Sequence, residues 1–347
     1  MLPPPEIVDF RAQLLAWFAA YKRDLPWRRT DDPYKIWISE VMLQQTRVSA
    51  VIPYYERFLA QFPIVEALAS APESDLLANW SGLGYYYRAR NLQKAAQQIY
   101  AAGAFPDTYA GILNLPGVGS YTAAAVASIA FDRPHAVLDG NVYRVLSRVL
   151  NDQTNIASAK APKHFGGLAD DMLDREHPGN WNEAMMELGA TICLPKNPQC
   201  LLCPVAGFCR ARANGRQKQL PIKIKTHTIS KHTRVLFWIE QNGSLLLWRR
   251  SPDSRLMPGF WELPEAAQLP QTKPGWKLGS FRHGITIHNY TFEVVEAAVP
   301  GELGECQWVS ENDLEILPLS TIVKKAQRAV SRMQHREGST LPAIAGG

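Results

Sequence analysis

Apolar residues recur at helical spacing through the first two thirds of the chain. Between residues 6 and 21 they fall on one face and predict an amphipathic helix. Asp32-Pro33, a capping residue followed by proline, predicts a second helix over residues 33–46. The same period predicts further helices over residues 55–62, 72–80, 88–102 and 120–131, and another that begins at Asp139. This half shows no convincing strand pattern and is predicted to be helical.

A different pattern begins near residue 235, where β-branched and aromatic residues follow a period of two. Residues 235–239 and 244–248 flank Gln241-Asn242-Gly243, a typical hairpin turn, so they are predicted to pair. Later strands are predicted over residues 286–290, 291–297 and 306–309, and a helix over residues 322–336. The second part of the chain is therefore predicted to be an α+β domain.

Composition adds a soluble, mildly basic character to this picture. The 347 residues are 46% hydrophobic, carry a net charge of +5 and have a pI near 8.9, which suits a polyanionic partner without requiring one. The longest apolar run, residues 123–131, is too short to span a membrane, and the N-terminus lacks a signal-peptide pattern. The expected location is cytoplasmic, near the nucleoid, where disulfides do not explain five cysteines.

Residues 113–141 combine two features that point to nucleic acid. Leu115-Pro116-Gly117-Val118-Gly119 is a tight turn before a helix whose first N–H groups are a natural seat for phosphate. Asp139 follows at the start of the next helix. A glycine turn between helices is more often only a turn, and an aspartate there is more often only a cap. These residues alone do not decide between a nucleic-acid site and an ordinary turn with a helix cap, so the decision depends on the rest of the chain.

Glu40 lies on the predicted helix 33–46, which is apolar nearly all round and is expected to be buried. Burial raises the pKa of a carboxyl group, as a general acid at neutral pH requires. A structural pairing of Glu40 with an arginine fits the pattern equally well.

Four cysteines, Cys193, Cys200, Cys203 and Cys209, follow the spacing C-x6-C-x2-C-x5-C. Four thiolates within 17 residues suit an iron–sulfur cluster or a tetrahedral zinc ion, and the spacing alone does not choose between them. Cys306 lies far away and is expected to be an ordinary semi-buried thiol.

The combination of LPGVGSYTA at residues 115–123, Asp139 and the four cysteines resembles the helix-hairpin-helix DNA glycosylases that carry a [4Fe–4S] cluster. Within that group the chain looks like a MutY-type adenine DNA glycosylase, since it carries LPWR, SEVMLQQTRV, GLGYY, LDGNVYRVLSR and NEAMMELGA. The resemblance covers residues 5–212 closely. It implies a mainly α helix-hairpin-helix glycosylase fold with a [4Fe–4S] loop, followed by an α+β Nudix-like domain.

This resemblance implies a reaction and its catalytic residues. The expected activity is base excision repair: hydrolysis of the N-glycosidic bond of adenine opposite 8-oxoguanine or guanine in duplex DNA. Glu40 would protonate the adenine, Asp139 would stabilise the cationic sugar, and Tyr121 and Asn141 would support them. Tyr121 stands where bifunctional relatives carry a lysine. Because a phenol cannot form a Schiff base, the enzyme is expected to be monofunctional.

The resemblance also implies contacts with cofactor and DNA. The four cysteines would hold the [4Fe–4S] cluster, and a monovalent or divalent cation would sit at the hairpin turn. The protein would act on duplex DNA as a monomer and bind no membrane. The implied substrate and DNA contacts are Leu25, Trp27, Arg28, Gln45, Thr46, Leu83, Tyr85, Gly117, Gly119 and Glu183.

The second domain resembles the Nudix-like domain of the same family, which helps to recognise 8-oxoguanine, through the stretch at residues 256–264. It lacks the acidic Mg²⁺-binding box of Nudix hydrolases, so no nucleotide hydrolysis is expected. Thr286 and His288 are the expected counterparts of the family's recognition serine and histidine. The implied divisions are a catalytic domain at 1–215, a basic linker at 216–231, the Nudix-like domain at 232–335 and a tail at 336–347.

Two other functions are compatible with parts of the sequence. An endonuclease III-like enzyme for oxidised pyrimidines would share the helical fold, but Tyr121 and the second domain oppose it. A non-enzymatic, cluster-bearing sensor of DNA damage would share the DNA-binding features, but the pair Glu40 and Asp139 opposes it.

Overall fold

The computed structural model describes residues 2–224, 230–251, 253–254, 257–285, 288–299 and 301–337, without the side chains of residues 315, 316 and 334–337. The chain divides into two compact units, Met1–Lys225 and Thr226–Gly347. None of the described helices is both long enough and apolar enough to cross a membrane.

The first unit is helical throughout its described residues. Its α-helices are α1 (Pro4–Tyr21), α2 (Pro33–Leu43), α3 (Val48–Gln61), α4 (Val65–Ser70), α5 (Glu73–Trp80), α6 (Tyr87–Ala102), α7 (Tyr109–Leu113), α8 (Ser120–Phe131), α9 (Gly140–Val149), α10 (Ala161–Met172), α11 (Pro178–Thr191) and α12 (Arg210–Ala213). Short 3-10 helices cover Pro26–Arg28 and Ala206–Phe208.

Helix α8 is the centre of this unit. Six successive residues, Ala123 to Ser128, are buried, and α8 packs against α2, α7 and α11. Its alanines let neighbouring helices approach closely. Glycines of α11 allow the same: a Cβ on Gly179 would lie 2.7 Å from the Ser128 carbonyl oxygen, and one on Gly189 would lie 2.6 Å from Cβ of Asn141. This packing brings the starts of α8 and α9 next to α2 and α11.

A buried amide fixes the chain that leads into α9. Asn182 accepts a hydrogen bond from the Val137 N–H and donates to the His135 carbonyl and the Ser128 hydroxyl. A buried polar side chain with all these partners holds a unique backbone path. Asp139 therefore starts α9 at a defined place against α11.

The first half of the predicted linker packs on the helical unit. Leu220 is buried, and its carbonyl accepts a hydrogen bond from the Arg148 guanidinium. The Ile156 N–H also donates to the Ile222 carbonyl. Residues 225–229, the middle of that linker, lie outside the described residues.

The second unit contains two sheets among its described residues. In the first sheet β6 (His288–Ala297) pairs in parallel with β1 (Ser230–Trp238) and antiparallel with β5 (Pro274–Ile285). In the second sheet β3 (Ser244–Arg249) pairs with β2 (Glu240–Gln241), β4 (Trp261–Glu262) and β7 (Cys306–Ser310). Helix α13 (Glu311–Ile316) follows β7, and α14 (Thr321–Glu337) packs on β5.

The strand predictions were only partly right. The turn at Asn242-Gly243 does form, with φ values of +50° and +71°, but the hairpin joins β2 to β3. Residues 235–239 do not pair with 244–248 as the main partner, because β1 pairs along its whole length with β6. The segments predicted separately as 286–290 and 291–297 include one strand, β6, while residues 286 and 287 lie outside the described part.

Candidate active site

A pocket of about 610 Å³ opens between α2, α11 and the starts of α8 and α9. Pockets of this size hold small organic groups such as a single base. The predicted site residues that line it are Leu25, Trp27, Arg28, Glu40, Gln45, Thr46, Gly119, Tyr121, Asp139, Asn141 and Glu183. Leu83, Tyr85 and Gly117 do not line it. The fold thus brings together residues from five separate segments.

Glu40 is 5% exposed on the pocket side of α2, among apolar residues. Its Oε2 accepts a hydrogen bond from the Tyr121 hydroxyl at 2.7 Å. Burial raises the pKa of Glu40 to about 7, and the nearby carboxyl groups of Glu183 and Asp139 add to that rise, while the Tyr121 bond opposes it. The side chain can therefore carry a proton near neutral pH.

Tyr121 lies in the first turn of α8 and joins this carboxyl group to the opposite wall. Its hydroxyl contacts the Met186 sulfur at 3.2 Å as well as Glu40. Burial and the neighbouring carboxyl groups hold the pKa of Tyr121 well above its ordinary value. The phenol therefore stays protonated and acts as a hydrogen-bond donor.

Asp139 is both a helix cap and a pocket residue. Its Oδ1 accepts from the Val142 N–H and its Oδ2 from the Asn141 side chain, each at 2.7 Å. Burial raises the pKa of Asp139, and these hydrogen bonds oppose the rise. Asn141 is itself held by the Arg144 guanidinium at 2.8 Å. The cap expected from the sequence is confirmed, and the same carboxylate also lines the pocket.

The other wall of the pocket carries an arginine–glutamate network. Arg28 donates to Glu183 and to Glu187, each at 2.9 Å, and Arg23 donates to both oxygens of Glu187 at 2.7 Å. Although burial opposes the change, the bonds from Arg23 and Arg28 hold the pKa of Glu187 below its ordinary value. Burial dominates at Glu183, whose pKa is raised. This wall presents fixed charge to the pocket.

Glu187, Arg23 and Met186 escaped the sequence analysis. Glu187 is one helical turn from Glu183, and that spacing on one face of α11 was a usable signal. Arg23 and Met186 gave no comparable signal, because their partners lie 164 and 65 residues away.

Two residues with side chains adopt a left-handed conformation, Gln45 in the pocket lining and Tyr85 outside it. Helix α2 ends at Leu43, three residues before the predicted end, because Gln45 adopts φ of +58°. Tyr85 adopts φ of +52° in the loop before α6 and is about half exposed. A left-handed conformation costs about 1 kcal/mol in a residue with a side chain. Strain of this kind is concentrated at functional positions.

The hairpin turn before α8 has the features of a phosphate site. Gly117 adopts φ of +75°, and a Cβ there would lie 2.6 Å from Cβ of Asn91. Gly119 caps α8 with no side-chain hydrogen bond to the first N–H groups. These donors and the helix dipole favour an anion.

The four cysteines line one small cavity between α9 and the loop that follows α11. No set of three or more His, Cys, Asp or Glu side chains among the described residues is arranged to hold a single metal ion. Burial raises the pKa of Cys203 to about 12, so metal binding is what lets this thiol ionise.

His288 lies at the start of β6 in the second unit, beside Ser230 and His232. Its Nδ1 is within hydrogen-bond distance of the Ser230 hydroxyl and the His232 ring, and His232 stacks on Tyr290. Thr286 and Leu256, which the sequence analysis also singled out, lie outside the described residues.

Comparisons with known proteins agree with this site. The family of HhH-GPD superfamily base excision DNA repair proteins matches residues 38–169, and the iron–sulfur binding domain of endonuclease III matches residues 193–209. The second match, together with the cavity that the four cysteines line, identifies the cofactor as a [4Fe–4S] cluster.

Similar whole proteins and solved structures extend the match. The adenine DNA glycosylase of Rattus norvegicus is 34% identical over 96% of this chain and 80% of its own length, and that of Homo sapiens is 32% identical over 95% and 75%. A thermostable thymine-DNA glycosylase aligns with a TM-score of 0.56 at 29% identity over 60% of this chain and 98% of its own. An endonuclease III bound to DNA shares the fold, with a TM-score of 0.53 at 23% identity over 63% and 100%. The chain therefore belongs to the adenine DNA glycosylases, enzymes of base excision DNA repair.

Proposed function

We propose that this enzyme hydrolyses the N-glycosidic bond of adenine that lies opposite 8-oxoguanine or guanine in duplex DNA. The observation that carries the proposal is the pair of carboxyl groups in one pocket. Glu40 is buried with a pKa of about 7, and Asp139 is held by hydrogen bonds that favour its ionised form. Glycosidic cleavage requires one group that gives a proton and one that stabilises positive charge.

Glu40 acts as the general acid. Because its Oε2 accepts the Tyr121 hydroxyl, the acidic proton resides on Oε1 and passes to N7 of the extruded adenine. The C1′–N9 bond then breaks, and its electron pair leaves with the protonated base. A pKa near the working pH keeps a large fraction of Glu40 protonated and still allows the proton to be transferred readily.

Asp139 stabilises the cationic sugar that remains. Its two oxygens stay oriented by Val142 and Asn141 while the positive charge develops at the sugar. Such preorganised charge needs no rearrangement during the reaction. Water then adds to the sugar and releases a proton, which restores the free enzyme and leaves an abasic site.

The adenine binds between the aromatic ring of Trp27 and the α11 wall. Trp27 is 7% exposed and held edge-on by Tyr55, and the Arg28–Glu183 pair offers donors and acceptors. Gln45 and Tyr85 enter the base stack, with Thr46 and Leu83 beside the base left behind. These contacts offset the few kcal/mol that extrusion of a base costs. Leu25 adds apolar surface at the pocket floor.

The chemistry ends with base release. Tyr121 lies where an amine nucleophile would be needed for strand cleavage, and a protonated phenol cannot form a Schiff base. The enzyme is therefore monofunctional. Gly117 and Gly119 receive a backbone phosphate, with a bound cation at the turn, and one chain acts alone on the duplex.

The second unit is a Nudix-like domain that reads the base opposite the adenine. His288, in contact with Ser230 and His232, offers ring nitrogens for hydrogen bonds to 8-oxoguanine, and Thr286 lies two residues before it. Without the acidic metal-binding box it hydrolyses no nucleotide. The basic segment 216–231 connects the two parts along the chain.

Single-turnover base release from three duplexes tests the proposal. Adenine is placed opposite 8-oxoguanine, guanine or thymine, and heat with alkali reveals abasic sites. The expected order is fast, slower and none. Equal rates on the first two duplexes would contradict recognition of 8-oxoguanine. Strand breaks without alkali would contradict the proposal that the enzyme is monofunctional. Tight binding with no release from any duplex would contradict the glycosylase activity.

A further inference from the structure

Arg88 is a buried cation that the proposed chemistry does not use. It lies in the first turn of α6 and is 3% exposed. Charged side chains are rarely buried without a partner of opposite charge, because desolvation of the charge is costly. Arg88 forms no salt bridge with any residue that the structure describes, and the pKa of its guanidinium is lowered by burial.

Its partners are backbone carbonyls from two separate places, the end of α2 with the residue after it and the loop before α6. Nη1 donates to the carbonyls of Val41, Met42 and Gln44, at 2.8, 3.2 and 2.6 Å, where α2 ends. Nη2 donates to the carbonyls of Leu83 and Gly84, at 3.3 and 3.2 Å. These oxygens are the ones a helix end or an irregular loop leaves without a partner.

The guanidinium is also stacked between rings. It lies 5.5 Å from the ring centre of Trp80 and 5.4 Å from that of Tyr85. Cation–π contact of this kind favours Arg over Lys. Nε has no hydrogen-bond partner among the described residues. All the hydrogen bonds described for this side chain are therefore made by Nη1 and Nη2, to the two backbone segments.

In both loops a non-glycine residue in the left-handed conformation comes right after the carbonyls that Arg88 binds, and Gly84 is itself left-handed, with φ of +71°. Gln45, with φ of +58°, follows Gln44, and Tyr85, with φ of +52°, follows Gly84. Two strained residues next to one shared anchor persist only because the surroundings over-determine them. The anchor that both have in common is Arg88.

We propose that Arg88 is a positioning residue that fixes the distance between the Gln45 loop and the Tyr85 loop, so that both side chains enter the duplex together. The inference rests on the proposed function, in which these two residues enter the base stack. Arg88 itself touches neither the adenine nor the reacting atoms. Its effect is on extrusion of the adenine and on discrimination between mispairs, and the chemical step is untouched.

Arg88→Lys tests this, because it keeps the positive charge but cannot reach both loops. Single-turnover base release is measured on adenine opposite 8-oxoguanine and on adenine opposite a tetrahydrofuran abasic site, which has no pair to open. We expect the first rate to fall by about 10- to 100-fold, the effect of a misplacement of roughly 1 Å. The second rate should fall by less than about threefold, since extrusion is then easy.

The matched control is Arg11→Lys. Arg11 also donates to carbonyls at a helix end, those of Asp171 and Met172, but it contacts neither the Gln45 loop nor the Tyr85 loop in the described hydrogen bonds. It should lower the melting temperature as Arg88→Lys does and leave the ratio of the two rates unchanged. Thermal melting and the visible absorbance of the iron–sulfur cluster confirm that each variant is folded.

Fluorescence of 2-aminopurine in place of the adenine gives a second readout of extrusion. Arg88→Lys should bind this duplex with little loss yet show a reduced gain in fluorescence. Equal losses of rate on both duplexes, with an unchanged fluorescence gain, would overturn the proposal and leave Arg88 merely structural. If the wild-type protein releases no adenine from the 8-oxoguanine duplex, the proposed function fails instead, and the fluorescence gain still tests Arg88.

Discussion

Glu40 on α2 and Glu187 on α11 are both almost fully buried in the walls of one pocket, yet their pKa values move in opposite directions. Burial raises the pKa of Glu40 to about 7, because its hydrogen-bond partner is a neutral phenol and no cation pairs directly with it among the described residues. At Glu187 burial has the same tendency, but Arg23 and Arg28 outweigh it. Burial alone therefore does not decide whether a carboxyl group is ionised; the cation beside it does.

This difference assigns a separate task to each wall. The α2 wall holds a proton that can be given away, and the α11 wall holds fixed charge that can orient a base. Two carboxyl groups kept in different protonation states by their surroundings are the general solution for acid catalysis at neutral pH.

Glu40→Gln should have the largest effect. The amide still accepts the Tyr121 hydroxyl but has no acidic proton, so base release should fall by about 1000-fold while duplex binding is kept. Single-turnover kinetics and fluorescence polarisation measure the two properties. A variant with the wild-type rate constant would remove Glu40 from its role as the acid.

The same variant also reports the cost of the raised pKa. The folded-state pKa of Glu40 lies above the ordinary 4.5, so its contribution to stability is full below that pH and is lost as pH rises through about 7. Glutamine escapes this loss. At pH 8 urea unfolding should therefore show Glu40→Gln to be more stable than wild type, by about 3 kcal/mol. At pH 4 the difference should vanish.

Asp139→Asn should reduce base release almost as much, by about 100- to 1000-fold, because a neutral amide cannot stabilise the cationic sugar. Asparagine is as good a helix cap as aspartate but loses the hydrogen bond from the Asn141 amide, so the melting temperature should fall only slightly. Asp139→Ala is the paired variant: it should lose the activity and about 1 kcal/mol of stability as well. A stable Asn variant with full activity would assign Asp139 to capping alone.

Arg28→Met breaks the opposite wall. It leaves Glu183 and Glu187 with fewer donors in a buried place, and the free energy of unfolding should fall by about 3 kcal/mol. Arg29→Met is the matched control, since the neighbouring Arg29 pairs with Asp24 in full contact with solvent. It should change stability very little. Equal losses in the two variants would mean that the Arg28 network is not a buried one in solution.

Tyr121→Phe should have the smallest effect. The rate of base release in wild type should fall as pH rises through about 7, where Glu40 loses its proton. Since the Tyr121 hydroxyl lowers the pKa of Glu40, its removal should move that fall to higher pH and leave the rate at pH 6 little changed. A shift to lower pH would contradict the hydrogen bond that joins them.

The sequence predicted correctly those features that depend on neighbouring residues. Helix α8 has the predicted bounds, and Asp139 caps α9, because both follow from neighbouring residues. The resemblance to a known family named the fold and the cofactor. The end of α2 was wrong by three residues, since Gln45 adopts a positive φ and the carbonyls at the helix end are bound by Arg88, which lies 44 residues after Gln44.

The missed parts share one physical cause. The Arg23–Glu187 ion pair joins residues 164 positions apart, and β1 pairs with a strand more than fifty residues later. Periodicity and capping rules describe only the nearest turns of the chain. Strand β5 was also missed, because Gly275, Gly279 and Gly284 weaken its pattern. Pairing with β6 and packing of α14 supply what the local sequence lacks.

The close approach of α11 to its neighbours sets the mutational tolerance of the enzyme. A methyl group at Gly189 would collide with Asn141, which holds Asp139, and one at Gly179 would meet the backbone of α8. Neither glycine needs to touch DNA for its replacement to disable the enzyme. Inherited or random changes that inactivate this enzyme will therefore include residues with no chemistry of their own, whose only contribution is to take up no room.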